Sequence, residues 1–240
     1  MIKKFVFFLL VFSTTIAFST NPTETDGIKG NFDLGLNYTQ NIEKTLQFNN
    51  VFLLRYKKGN SNLSLGNNIS FISKTGEKEL LNKGTQDLKY SYKSKKLGAD
   101  VTLQHLYDIS RSIKKRLTSG LGFSYAFIQE DDKKLMIGIS ALKEKETLKN
   151  GEDKIQNRMS ANLDFSIKLN KNIELLGANN YQPNIEEPGD FRMKTMLALR
   201  INLSPHFLLS INNTFNYDSF PEEGIPETDY QLINSISYTF

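Results

Sequence analysis

Apolar and polar residues alternate with period two from Gly30 to Phe240, and few folds can accommodate so long a run of that pattern. Residues 31–40 set Phe32, Leu34, Leu36 and Tyr38 against Asp33, Gly35, Asn37 and Thr39. Residues 158–169 set Met159, Ala161, Leu163, Phe165 and Ile167 against Ser160, Asn162, Asp164, Ser166 and Lys168. Successive strand residues point to opposite faces, so such runs predict strands with one apolar and one polar face. Twelve runs are present: 31–40, 45–56, 62–73, 84–93, 97–108, 116–127, 134–143, 158–169, 173–182, 191–203, 206–218 and 230–240.

Their length narrows the architecture. Strands of soluble proteins average about five or six residues. These run to roughly ten or more, which suits a tilted bilayer-spanning strand of about 9–11 residues. A sheet in hydrocarbon must close on itself, because an open edge leaves amides unpaired. The expected fold is therefore all-β: an antiparallel transmembrane β-barrel of about twelve strands. An even count is usual for single-chain bacterial barrels. A mean hydropathy of -0.40 and a hydrophobic fraction of 39% do not oppose this. Only alternate strand residues meet lipid in a barrel, and the lumen and loops stay polar. No apolar run of about 20 residues argues for a helical span. A soluble β-sandwich or lipocalin-like carrier is the rival fold.

The connections divide into two classes. Those after even strands are short: 57–61, 94–96, 130–133, 170–172 and 204–205. Those after odd strands are mostly longer: 41–44, 74–83, 109–115, 144–157, 183–190 and 219–229. Short periplasmic turns opposite longer extracellular loops are expected of an outer-membrane barrel. The stretch from Lys143 to Lys154 alternates charge sign and reads as a solvated loop. Tyr38, Tyr107, Tyr181, Tyr217 and Tyr230 fall at loop-side strand ends. Tyr56, Tyr90, Tyr92, Tyr125 and Tyr238 fall towards the turns. Two aromatic girdles are the expected reading.

Residues 1–20 carry Lys3 and Lys4, a short apolar core from Phe5 to Phe12, and the small residues Ala17 and Ser19. This predicts a signal peptide over 1–19, a short extension over 20–29 and a barrel over 30–240. The expected location is the outer membrane of a Gram-negative bacterium. The formal charge is +4, and two of those charges lie in the leader. So weak a bias offers no footprint for nucleic acid. The expected partners are outer-membrane lipids, lipopolysaccharide and, during folding, the outer-membrane assembly machinery. The closing strand ends Tyr238-Thr-Phe240 with Ile236, Leu232 and Tyr230 on the same face. It resembles the C-terminal signal read by that machinery, with Tyr238 and Phe240 as its key residues.

A family resemblance accompanies these readings. Leu103–Tyr125 has a strand ending in Tyr107-Asp108, then Arg111, then a strand with Gly120-x-Gly122. Tyr181-Gln-Pro183, Asp190-Phe-Arg192, Tyr217-Asp-Ser and Pro221-x-x-Gly224-Ile-Pro226-x-x-Asp229 follow. Together they resemble the YdiY-like, salt-induced outer-membrane protein family, whose domain is of unknown function. The resemblance implies an outer-membrane barrel and supplies no substrate and no catalytic residues.

No chemistry-bearing constellation emerges. Cysteine is absent, which removes thiolate metal sites and thiol nucleophiles. His105 falls on the lipid-facing set near the outer interface, and His206 falls at a periplasmic turn. A lipid-cleaving enzyme needs a His beside a nucleophilic Ser, and position 107 is Tyr and position 208 is Leu. The acidic clusters Glu186, Glu187, Asp190 and Glu222, Glu223, Glu227, Asp229 lack the ordered spacing of a calcium loop and read as solvated charge. Hence no catalytic, cofactor or metal residues are expected. The inward set matters most, with Arg55, Asp164, Lys168, Arg192, Lys194 and Arg200 as candidate lumen-lining residues. Two readings follow from a lumen of mixed sign. The charges line a narrow channel for small polar or charged solutes, with Arg192, Lys194 and Arg200 setting selectivity, or they pair and fill the interior. A structural or adhesive role through the loops is the alternative function. A lipid-modifying enzyme is the weakest.

Overall fold

The computed structural model describes residues 26–40, 44–74, 81–204 and 207–238. Twelve antiparallel strands follow one another in a single sheet whose spatial order is the chain order. They are β1 (Gly27–Gln40), β2 (Lys44–Lys58), β3 (Ser61–Lys74), β4 (Leu81–Ser94), β5 (Leu97–Asp108) and β6 (Ile113–Gln129). Then come β7 (Lys133–Leu148), β8 (Asp153–Lys168), β9 (Ile173–Pro183), β10 (Phe191–Asn202), β11 (Phe207–Asp218) and β12 (Thr228–Tyr238). One 3-10 turn, Ile109–Arg111, joins β5 to β6, with the Asp108 carboxylate accepting from the Arg111 amide at 3.2 Å.

The sheet is curled into a barrel. Lys194 on β10 lies in the electrostatic field of Asp87 and Lys83 on β4. Asp164 on β8 lies in that of Lys89 and Lys93, also on β4. Strands β4 and β10 are six places apart, which a flat sheet at ~4.8 Å spacing would turn into roughly 29 Å. Only curvature brings those walls together.

The period-two pattern decides which way each residue faces. Leu103, Leu117, Leu121, Phe123, Ile139 and Leu197 are exposed on the outer wall, as are many other large apolar residues. A belt this continuous far exceeds the apolar patches of soluble proteins and calls for hydrocarbon against it. Tyr56, Tyr90, Tyr92 and Tyr125 stand exposed towards the short-turn end, and Tyr38, Tyr181 and Tyr230 towards the other. Phe191 packs between Tyr181 and Tyr217, with ring centroids 5.5 Å apart on each side. One polar rail crosses this wall. Asn67 donates to Asn50 at 2.7 Å, Gln86 donates to Asn67 at 2.9 Å, and His105 Nδ1 meets Gln86 Oε1 at 2.5 Å.

The largest departure from expectation is at 144–157. That stretch is not a loop. β7 continues to Leu148 and β8 begins at Asp153, leaving a turn of four residues with Gly151 at φ +90. Its charged residues are not solvated loop charge but keep the strand period: Glu144, Glu146 and Leu148 are buried inside while Lys143 and Lys145 are exposed outside. The stretch 109–115 also tightens, to four residues between β5 and β6. Outer connections therefore span three to nine residues and inner ones two to four. Only 75–80, 184–190 and 219–227 exceed the longest inner turn. The expected signal peptide 1–19 and the residues His206 and Phe240 lie outside the described residues. Tyr238 is the last residue of β12, in register with Phe207.

Candidate functional site

Three arginines and four carboxylates build a lattice inside the outer end of the barrel. β6 contributes Arg116, β7 Glu144 and Glu146, β8 Arg158, β10 Arg192, β11 Asp218, and the 184–190 loop Asp190. Arg192 bonds Glu144 at 2.9 Å and approaches Asp218 at 3.6 Å and Glu146 at 4.0 Å. Arg158 holds both oxygens of Asp190, at 2.6 and 2.8 Å, and its Nε faces Glu144 at 3.5 Å. Arg116 pairs with Glu146. Arg158 is 1% exposed, Glu144 4% and Glu146 7%. Charges so buried persist only when paired and hydrogen-bonded. Burial pushes the Asp190 carboxyl up, but hydrogen bonds and charge from Arg158 outweigh it and hold the group below its usual range.

The 219–227 connection lies across this end. Lys154 donates to Glu222 at 2.6 Å, and Arg111 donates to the Pro226 carbonyl at 3.3 Å. The connection after β11 is thus tied to the two hairpins on the far side. The space left between these groups and the lattice is about 40 Å³, room for about one or two waters.

Below the lattice the interior is uneven. On the β8–β11 side Ser160, Leu176, Met196, Ala198 and Ser210 are buried against one another's strands. On the β4–β5 side most inward residues stay at least partly open to solvent, although Ser91 is buried. Lys89 pairs with Asp100 at 3.5 Å and is still 45% exposed. Gln104 donates to Asp87 at 2.7 Å. Lys93 and Lys194 are exposed, and no ion pair reaches Lys194 among the described residues. Lys194 is solvent-accessible although opposite walls surround it, as expected of a side chain in a watery lumen.

The six candidate lining residues do not act as one set. Arg192 belongs to the lattice. Arg200 faces Glu174 at 4.0 Å, and Lys168 lies opposite Glu174 in register. Arg55 is half-buried on β2. Lys194 and Asp164 face the lumen and the β4 lysines. Sequence reasoning missed Glu144, Glu146, Arg116 and Arg158, although continuing the alternation through 144–148 would have placed the two glutamates inside. It also read the acidic loops as solvated, whereas Asp190 and Glu222 are structural ties. His105 sits on the outer wall with no serine partner. Among the described residues no group of three His, Asp or Glu is placed to hold a metal ion.

Comparison with known proteins agrees with this architecture. Residues 32–240 match the family described as "Protein of unknown function, DUF481". No curated protein matches the chain. Among solved structures, a NanC porin in a rhombohedral crystal form is 9% identical, covers 87% of this chain and 99% of its own, and superposes with a TM-score of 0.52. A KdgM porin in complex with disordered oligogalacturonate is 10% identical over 85% of this chain and 98% of its own, at 0.44. A CymD monoaromatic hydrocarbon channel is 10% identical over 88% and 77%, at 0.44. The first of these shows the barrel fold.

Proposed function

The chain belongs to the DUF481 family of proteins of unknown function, and on that premise we propose that it is a narrow, non-enzymatic channel in the outer membrane of a Gram-negative bacterium. The observation that carries this is the solvent-open, charged strip on the β4–β5 side, below an outer end that the arginine–carboxylate lattice narrows from the β6–β11 side. Lys89, Lys93 and Lys194 face Asp87, Asp100 and Asp164 across that strip. Lys194 makes no direct ion pair among the described residues and is open to solvent, with Asp87 and Asp229 only in its wider field, so its charge stays available to a solute in the lumen. A pore with opposed charges passes small polar or charged solutes, because each charge replaces part of a hydration shell without trapping the ion. Lys194 on β10 and the β4 lysines set the sign preference. Arg192 does not, because carboxylates surround it. The adhesive alternative loses its longest expected loop, since 144–157 is a strand hairpin.

Export by the 1–19 leader, and assembly guided by Tyr238 and Phe240, complete this reading. Planar-bilayer recording of the purified barrel tests it. Small unitary currents are expected, with a reversal potential that moves towards cations in Lys194→Glu. Silence with both anionic and cationic solutes would sink the channel.

A further inference from the structure

The outer wall carries a feature that a channel does not need. Lys115, Lys143 and Lys145 stand on adjacent strands, β6 and β7, and all three are exposed. Register places Lys115 opposite Thr147, and Lys145 opposite Leu117. Lys115 and Lys145 are therefore diagonal neighbours, and diagonal pairs lie about 7–8 Å apart. Lys143 is the next outward residue on β7. Asp153 pairs with Lys145 at 3.3 Å, and no ion pair reaches Lys115 or Lys143 among the described residues. Like charges this close repel, and a multivalent anion between them removes the repulsion.

Directly beside the lysines is an apolar groove of about 550 Å³. Its walls are Leu65, Leu88, Leu103, Leu117 and Ile155, and Lys143, Lys145 and His105 form its charged and polar edge. The floor dips at Ser119, a small residue in register between Leu103 and Lys143. The polar rail of Asn50, Asn67 and Gln86 ends at His105 on the same edge. Cations along the edge of a hydrocarbon-lined groove, on a wall that faces lipid, match one chemistry: a phosphate carried on acyl chains.

We propose that this face binds a phosphorylated, acylated lipid of the outer leaflet, with an acyl chain in the groove over Ser119 and a phosphate between Lys115, Lys143 and Lys145. The assignment rests on the outer-membrane reading, which puts this end of the barrel in the outer leaflet. It does not depend on conduction, so its test is binding.

Native mass spectrometry of the detergent-solubilised barrel with diphosphoryl lipid A, dephosphorylated lipid A and inorganic phosphate provides that test. The wild type should retain the diphosphoryl lipid about tenfold more strongly than the dephosphorylated one. Lys143→Glu/Lys145→Glu should abolish the preference, and Ser119→Phe should weaken both lipids alike. Lys133→Glu, on β7 at the opposite end, should behave as wild type. Equal retention of the two lipids by the wild type overturns the proposal. So does a preference that survives the double substitution. Retention of inorganic phosphate as strong as that of the lipid, untouched by Ser119→Phe, also overturns it. A barrel that conducts nothing yet shows the lipid preference would fail as a channel and keep this site.

Discussion

Arg158 is the residue on which most depends. It is 1% exposed and serves Glu144, Asp190 and the Gln182 carbonyl together. Arg158→Met would leave two carboxylates without their shared cation, and breaking a buried pair costs about 3–5 kcal/mol. Urea titration of the barrel refolded in phosphatidylcholine vesicles should show a lower midpoint, and an unchanged midpoint would refute the lattice. Asp190 gives the lattice a pH dependence of known sign. Its folded value lies below the ordinary 3.8. Its contribution is therefore complete above that value and lost as the pH falls through the lower folded one. Asp190→Asn should remove that part of the acid lability, read from the same titration at descending pH. At this scale the sequence was least legible. Glu144 and Glu146 look like solvated charge because their partners are distant in the chain: Arg116, Arg158 and Arg192 come from three other strands.

At the scale of elements the alternation was enough. All twelve strands follow from it, because outward apolar and inward polar faces are set by strand geometry alone. The misread element is the β7–β8 hairpin, where both faces carry charge and the contrast between them vanishes. Deleting 144–157 should therefore stop the barrel from folding rather than trim a loop. The check is heat-modifiable migration on an unboiled gel, and a retained fast-migrating band would contradict the hairpin. Glycine also has a structural part. Phe165 on β8 lies over Gly177 on β9, where a Cβ would meet the ring. Gly177→Val should displace that ring at a cost of about 1–3 kcal/mol, visible as a lower urea midpoint. A midpoint equal to wild type would show that the ring is not held there.

The whole molecule combines a lipid-facing belt, an outer end narrowed by the arginine–carboxylate lattice and an open, charged strip beneath it. The barrel was legible from strand length, the even strand count and the sustained alternation. The narrowing of the outer end was not, because it depends on the 219–227 connection reaching across to Lys154 and Arg111. Those two contacts hold the narrowing without a buried unpaired charge, so removing them should loosen the mouth and spare the fold. Single-channel recording of the wild type beside Arg111→Ala/Lys154→Ala decides whether the barrel conducts through a narrowed outer end. Small wild-type currents with an anion preference are expected, with larger currents of the same preference in the double variant. Silence from both barrels, or equal currents that ignore solute charge, would contradict it.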